Sequence, residues 1–259
     1  MSKLSLKSSG VKLKSPEDIK RIADAGRVIA ELFEEISKTD LASASAFEID
    51  TYIESFLNKH ACCASFKTMQ NYAYSSCISI NHEAVHGIPH KKKKIKTGDI
   101  VKIDIGASKN GYFADGCRTF ACGKISSEAQ RLIETAQIAL AEGIEQAKAG
   151  NFLGDIGSAV EKYVNSRKCS VVREFCGHGV GFAAHEPPVV LHYGKEKTGL
   201  RIAEGLVIAV EPIINTGKRE LVTLSDGWTA VTKDGSLSAQ FEETIAVTKN
   251  GILILTSLV

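Results

Sequence analysis

The segment that most constrains the fold is GDIVKIDIGASKNGYFADGCRTF, in which two alternating runs flank Asn110-Gly111. Apolar and polar residues alternate before the dipeptide, as in a half-buried strand, and Asn-Gly is a strong signal for a two-residue hairpin turn. Such a turn places Asp104 opposite Cys117 and Asp115 opposite Gly106. The two carboxylates then lie diagonally on one face, where they repel each other unless a cation lies between them. The hairpin therefore predicts a divalent cation site.

Three more candidate ligands follow later in the chain. His178 lies in CGHGVG, Glu211 ends the apolar run LVIAVEP, and Glu242 lies in SAQFEETIAV. An acid at the end of an apolar strand is costly to bury unless it is paired or bound to a metal. With the two aspartates they make four carboxylates and one imidazole, a set suited to two divalent ions about 3.5–4 Å apart. Taken singly, each acid is also explained as a solvated strand residue or a salt-bridge partner.

Helix signals precede each strand-rich region. Ser15-Pro16-Glu17-Asp18 supplies an N-cap, a proline at the first helical position and acids in the first turn. Further helices are predicted over 46–59, 127–148 and 153–167, and residues 170–259 are predicted to be rich in strands. Residues 1–14 are polar and aperiodic, so we expect a flexible N-terminal arm followed by a single domain over 15–259.

The order helix, helix, strands occurs twice, over about 15–122 and about 126–249. In both halves a glycine precedes the acid by six residues, Gly98 before Asp104 and Gly205 before Glu211. This pattern predicts an α+β fold made of two similar halves, with antiparallel strands covered by helices on one face. A chance likeness between two alternating strands remains the alternative.

Charge and hydropathy exclude several classes of protein. The 32 basic and 30 acidic residues are too balanced for a surface that binds nucleic acid everywhere. The longest apolar runs are shorter than a membrane span, and the N-terminus lacks the apolar segment of a secretory signal. Seven cysteines without C-x-x-C spacing are expected to be reduced, and we expect a cytoplasmic protein.

Five separated segments give the chain a specific resemblance: NHEAVHGIP, GDIVKIDIGASKNGYFADGCRTF, CGHGVGFAAHEPP, AVEPIIN and SAQFEETIAVT. Together they resemble the type I methionine aminopeptidases, within the larger pita-bread metallopeptidase family. The resemblance runs from about residue 15 to 255 and implies a pita-bread fold with two pseudo-twofold-related halves. It implies a hydrolase, a methionyl aminopeptidase that removes the initiator methionine from nascent proteins with a small second residue.

The resemblance also implies roles for individual residues. The ligands of a dinuclear centre would be Asp104, Asp115, His178, Glu211 and Glu242, holding two ions of Mn, Fe, Co or Zn. A metal-activated water would attack the first peptide bond, with Glu211 exchanging the proton. His86 and His185 match histidines that contact the substrate near that bond, and we count His86, His185 and Glu211 as catalytic. The other histidines are expected at the surface or in satisfied positions behind the ligands.

The methionine pocket is where the sequence departs from the family. The resemblance places its lining at Phe66, Met69, Tyr72, Cys77, Ala184 and Trp228, beside His86 and His185. A bulky aromatic is common where Ala184 stands, and a smaller residue is common where Phe66 stands. We therefore hypothesise that Phe66 fills volume vacated at Ala184, which conserves the size of the pocket.

Two alternative functions and one further partner are also suggested by the sequence. An Xaa-Pro peptidase shares the metal site, but such proteins usually carry an additional N-terminal domain and only about 15 residues precede the first predicted helix here. A non-catalytic pita-bread binding module typically loses metal ligands. The lysine run Lys91–Lys96 is expected either as a solvated loop or as a transient contact with ribosomal RNA, and we expect a monomer.

Overall fold

Four helices cover the strands, and this computed structural model describes them within residues 10–258. They are α1 (Pro16–Ser37), α2 (Ala46–Lys59), α3 (Ser127–Glu145) and α4 (Leu153–Ser166). The predicted start of α1 is confirmed, because the Ser15 hydroxyl accepts a hydrogen bond from the Asp18 N–H while the Asp18 carboxylate accepts one from the Ser15 N–H. Helix α3 ends at Glu145 instead of 148, because the chain turns there towards Gly150, whose φ is 97°.

Antiparallel strands form one large sheet and two small ones among the described residues. The strands are β1 (Cys63–Ala64), β2 (Cys77–Ile80), β3 (Glu83–Val85), β4 (Ile100–Lys109), β5 (Tyr112–Ala121), β6 (Ser170–Val171), β7 (Gly177–Gly179), β8 (Glu186–Val190), β9 (Val207–Val210), β10 (Ile213–Asn215), β11 (Leu221–Thr223), β12 (Ala230–Thr232), β13 (Ser238–Gln240), β14 (Glu242–Thr248) and β15 (Gly251–Ile254). The nine-stranded sheet has the order β1-β4-β5-β14-β9-β7-β8, with β2 beside β4 and β15 beside β14. The small sheets have the orders β13-β10-β6 and β11-β12-β3.

The hairpin β4–β5 has the predicted register. Asp104 pairs with Cys117 and Gly106 pairs with Asp115. The turn residues Asn110 and Gly111 have φ values of 53° and 81°, as a two-residue turn between twisted strands requires. The prediction from the Asn-Gly dipeptide is therefore confirmed in full.

Two large hydrophobic clusters fill the space between the helices and the large sheet. The first gathers α1 and α2 against β4 and β5, and the second gathers α3 and α4 against β9 and β14. The α+β architecture predicted from the sequence, antiparallel strands covered by helices, is confirmed. Each cluster is formed mostly by one of the two proposed halves. Val207 and Ala246 are exceptions, because they belong to the second half but pack in the first cluster. The internal duplication itself stays a proposal.

The predicted N-terminal arm is packed at its end. Residues 1–9 lie outside the described residues, but Lys14 is buried and its N–H donates to the carbonyl oxygen of Gly205 at 2.7 Å. A hydrogen bond to a residue far along the chain thus holds Lys14, while a flexible arm before it stays a prediction. None of the described helices is long and apolar enough to cross a membrane.

Candidate metal centre

The five predicted ligands meet on neighbouring strands of the large sheet. Asp104 lies on β4, Asp115 on β5, His178 on β7 and Glu242 at the start of β14, while Glu211 directly follows β9. Because β14 lies between β5 and β9, the ligands of the two halves face one another. Ligand atoms of Asp104, Asp115 and Glu242 lie within 4.8 Å of one another, and so do those of His178, Glu211 and Glu242.

Asp115 and Glu242 are buried and Asp104 and Glu211 are partly buried, so their charged forms are disfavoured unless a positive charge lies among them. Burial raises the pKa of Asp115 to about 7. Burial, and then the charge of Asp115, raises the pKa of Asp104, while burial and the neighbouring acids raise those of Glu211 and Glu242. Asp104 Oδ1 and Glu242 Oε1 are buried without a hydrogen-bond partner among residues 10–258. Oxygens of this kind, beside one imidazole, fit hard or borderline divalent ions.

Neighbouring side chains orient the ligands. The N–H of Glu211 donates to His192 Nε2 at 3.0 Å, and Gln240 Nε2 donates to Glu211 Oε2 at 3.3 Å. His178 Nδ1 lies 2.9 Å from the Gly179 carbonyl oxygen, which leaves Nε2 facing Glu211 Oε1 at 3.4 Å. Contacts of this kind fix the tautomer and direction of a ligand. Of the two positions expected for His192, the surface or a satisfied position behind the ligands, it occupies the second. Gln240 was not predicted, because it carries no local signal in the sequence.

The backbone beside Asp115 and Glu242 is also held by side chains. Arg118 Nη1 donates to the carbonyl oxygen of Glu242 at 2.6 Å. The Asp115 N–H donates to Thr244 Oγ1 at 2.9 Å, and that hydroxyl donates to the Asp115 carbonyl oxygen at 2.8 Å. These bonds join β5 to β14 beside two ligands, so the spacing of the carboxylates is set by rigid strands.

A cavity of about 140 Å³ opens beside the carboxylates. Twelve of the thirteen predicted site residues line it: Phe66, Met69, Tyr72, Cys77, His86, Asp104, Asp115, His178, His185, Glu211, Trp228 and Glu242. The thirteenth, Ala184, is buried but is not among the lining residues. One end of the cavity is thus apolar and aromatic, and the other is acidic.

The apolar end is built around Tyr72. Its ring packs edge-to-face on Trp228 with centroids 4.8 Å apart and on Phe66 with centroids 6.4 Å apart. Its hydroxyl donates to the Ser76 carbonyl oxygen at 2.8 Å. Phe66 needs the glycine at 106, because a Cβ there would lie 2.8 Å from Phe66 Cε1 and 2.0 Å from Ser65 Oγ. The close approach of Gly106 to Phe66 therefore joins the pocket wall to β4, the strand that carries Asp104.

His86 and His185 lie at the boundary between the two ends. Burial lowers the pKa of His86 to about 4, with a smaller effect of His185, and burial lowers that of His185. The His185 ring lies 4.1 Å from that of His178, and the His86 ring lies 6.1 Å from that of Trp228. Neutral imidazoles in these positions can donate or accept hydrogen bonds with a group placed over the carboxylates.

A family model described as metallopeptidase family M24 matches residues 20–249. Methionine aminopeptidase 1 of Bacillus subtilis (strain 168) is 42% identical over 243 residues, which cover 94% of this chain and 98% of that protein. The methionine aminopeptidase of Escherichia coli (strain K12) is 41% identical over 247 residues, which cover 95% of this chain and 94% of that protein.

Solved structures agree. The methionine aminopeptidase of Thermotoga maritima superposes with a TM-score of 0.93 at 35% identity, covering 96% of this chain and 100% of that one. An Xaa-Pro dipeptidase of Bacillus anthracis superposes with a TM-score of 0.73 at 22% identity, where this chain covers 62% of the other. The second likeness shows the shared fold alone.

Proposed function

The chain belongs to metallopeptidase family M24, and from that premise we propose that it removes the N-terminal methionine from nascent polypeptides whose second residue is small. One observation carries the proposal: four carboxylates, two buried and two partly buried, converge with an imidazole at the acidic end of a cavity whose other end is apolar. Such a cavity takes an apolar side chain at one end and presents the adjoining amide to the acidic end.

The acidic end would hold one or two divalent ions through Asp104, Asp115, His178, Glu211 and Glu242. When bound, such ions supply Lewis-acid activation of water and of an amide carbonyl. Ligand type fits Mn²⁺, Fe²⁺, Co²⁺ and Zn²⁺ alike.

The chain's own residues would handle protons and position the substrate. Glu211, whose pKa is raised by burial and by Asp104, is suited to accept a proton from water and return it to the leaving amine. His185 would donate to the carbonyl or the developing oxyanion, and His86 would hold the peptide nitrogen. Burial lowers the pKa of both imidazoles, which favours the neutral ring with one donor nitrogen and one acceptor nitrogen.

The apolar end would select methionine. Phe66, Met69, Tyr72, Cys77 and Trp228 line it, and an unbranched thioether packs well against aromatic edges. The free N-terminal amine would lie beside the acidic end, which restricts cleavage to the first residue. Phe66 would set the size of the pocket directly, because it lines the cavity. Ala184 is buried outside the lining and would affect the size only indirectly.

Neither alternative is favoured by the comparisons. The relatives that match over nearly their full length are methionine aminopeptidases, whereas the Xaa-Pro dipeptidase is matched over 62% of its length. A non-catalytic binding module has no need of five convergent ligand groups.

The test is mass-spectrometric cleavage of Met-Ala-Ser, Leu-Ala-Ser and Ala-Pro peptides by chelator-stripped protein, with and without Mn²⁺ or Co²⁺. We expect metal-dependent loss of methionine alone. Glu242→Gln, which keeps the shape of a ligand and removes its charge, is expected to abolish metal-dependent cleavage. Cleavage of Ala-Pro alone, or no cleavage by metal-loaded protein, would overturn the proposal.

A transient ribosome contact through the Lys91–Lys96 loop belongs to the same proposal. Two lysines of this loop already form ion pairs within the protein. Lys93 donates to Glu83 at 2.9 Å, and Lys94 donates to Glu48 at 3.2 Å. Lys92 and Lys96 are exposed. Lysines bind RNA phosphates without sequence preference, so the double variant Lys92→Gln/Lys96→Gln should reduce co-sedimentation with ribosomes at low salt while peptide hydrolysis persists.

The matched control for the ribosome test exchanges two exposed lysines on another surface, Lys20→Gln/Lys249→Gln. Equal co-sedimentation of both double variants would contradict the contact. We also propose that the protein is a monomer and that it lies in the cytoplasm, where its proposed nascent-chain substrates are made. Cell fractionation and light scattering test these two points.

A further inference from the structure

Lys14 is a buried cation outside the candidate active site. Only 1% of its side chain is exposed, although it lies one residue before the N-cap of α1. Its ammonium forms an ion pair with the Glu186 carboxylate, and Nζ lies 5.1 Å from the centroid of the Phe182 ring. A lysine at the end of a polar segment ordinarily stays in water. The burial of Lys14 must therefore be explained by the groups that this side chain contacts.

The partner of Lys14 adjoins a residue of the candidate active site. Glu186 directly follows His185 and is the first residue of β8, where it pairs with Gly179 of β7. The His185 ring lies 4.1 Å from that of the ligand His178. A force that holds Glu186 therefore holds the backbone from which His185 extends.

The contacts around Lys14 leave little room for movement. Its N–H donates to the Gly205 carbonyl oxygen at 2.7 Å, and a Cβ at position 205 would lie 2.7 Å from the Lys14 carbonyl oxygen. A Cβ at position 181 would lie 2.9 Å from Lys14 Cε and 2.6 Å from Ile22 Cδ1. Gly181 begins the segment that leads to His185, so the lysine stem packs directly under that segment.

We propose that Lys14 is a positioning residue for His185, acting through its ion pair with Glu186 and its packing under residues 181–186. The inference rests on the proposed role of His185 in amide hydrolysis. An imidazole must be held closely to donate to a developing oxyanion, and a misplacement of about 1 Å costs on the order of 100-fold in rate. Burial lowers the pKa of Lys14 while Glu186 opposes that shift, so removal of either partner leaves the other buried and uncompensated.

The experiment compares Lys14→Met with Lys12→Met, since Lys12 is an exposed lysine on the same segment. With metal-loaded protein and a Met-Ala-Ser substrate, Lys14→Met is expected to lower kcat by about tenfold or more and Lys12→Met to leave it unchanged. The affinity for Mn²⁺ should stay the same in both variants, because Lys14 contacts none of the five ligands. A merely structural loss would instead lower kcat and metal affinity together.

Two double variants test the path of the effect. If Lys14 acts through Glu186, then Lys14→Met/Glu186→Gln will be no slower than the slower single variant. If it acts through His185, then Lys14→Met will not slow the His185→Ala protein further. Additive losses in either pair would overturn the proposal, as would an unchanged kcat in Lys14→Met.

A measurement without turnover separates this proposal from the proposed function. In Zn²⁺-loaded protein, Lys14→Met should shift the imidazole NMR resonances of His185 and leave those of His60, which stacks on Phe56, in place. Unshifted His185 resonances would overturn the positioning role even in an active enzyme. An inactive wild-type protein with shifted His185 resonances would refute the proposed function and retain the positional link.

Discussion

Replacement of Asp50 by alanine should destabilise the methionine pocket from beneath. Asp50 is a buried residue of α2, and its Oδ1 accepts three hydrogen bonds: from the N–H of Ser75 at 3.0 Å, and from the N–H and the hydroxyl of Ser76 at 2.8 Å each. Both serines are fully buried, so water cannot replace the lost acceptor. The two serines lead into Cys77, and the Ser76 carbonyl oxygen accepts the bond from Tyr72.

The loss in the free energy of unfolding of Asp50→Ala follows from the polar groups that the substitution leaves without a partner. Each orphaned buried N–H costs about 1–3 kcal/mol, whereas the hydroxyl of Ser76 can rotate to another acceptor. Two N–H groups then give a loss of about 2–4 kcal/mol in the free energy of unfolding, after allowance for the buried carboxylate that alanine removes. For a chain of this size that corresponds to a fall of roughly 5–15 °C in Tm.

Asp50→Asn is the matched control, because one amide oxygen can accept all three bonds that now reach a single carboxylate oxygen. Denaturant unfolding of the metal-loaded protein should show a loss of about 1 kcal/mol or less for Asp50→Asn. Burial raises the pKa of Asp50 above its ordinary 3.8, so the wild type loses stability relative to Asp50→Asn as the pH rises through that raised pKa.

The same variants should separate pocket effects from metal effects. Asp50→Ala should raise KM for Met-Ala-Ser while Mn²⁺ affinity is retained, since Asp50 contacts no ligand. Equal stability of Asp50→Ala and wild type, or equal damage from alanine and asparagine, would refute the acceptor argument.

Three further predictions concern the pocket and the metal centre. Phe66→Cys should weaken the preference for Met-Ala-Ser over Leu-Ala-Ser, measured as a ratio of kcat/KM; an unchanged ratio would contradict the role given to Phe66. His192→Ala removes the acceptor of the Glu211 N–H and should weaken Mn²⁺ binding by about 10–100-fold in calorimetry, with His192→Gln closer to wild type. Metal-stripped protein should lose stability as the pH rises through the raised pKa of Asp115, about 7, because the folded state holds that proton more tightly than the unfolded state; metal-loaded protein should not, and parallel pH profiles would refute this.

Local sequence signals predicted the elements that depend on neighbours along the chain. The Asn110-Gly111 turn determines the β4–β5 register, because only a short loop with two positive φ values matches the strand twist. The capping box at Ser15 and Asp18 likewise starts α1 from bonds between residues three apart. For the same reason the hairpin by itself places Asp104 and Asp115 on one face, without any tertiary contact.

The remaining ligands needed more than local pattern. Glu242 lies next to Asp104 and Asp115 only because β14 pairs with β5, where Glu242 faces Cys117. Nothing in a single strand specifies which other strand it joins, so from the residues alone Glu211 and Glu242 were only candidates. The resemblance to a family supplied their roles, and the sheet order brings them together.

The sequence by itself determined the capped helices, the hairpin register and the list of residues able to hold a divalent ion. Only the tertiary structure decided which polar residues hold that site in shape: Asp50 under the pocket wall, Gln240 and His192 behind Glu211, and Lys14 beside Glu186. The physical reason is distance along the chain, since Lys14 and Glu186 are 172 residues apart. Such a contact leaves no periodicity or cap in the sequence, and its closure is stabilised by the packing of the whole domain.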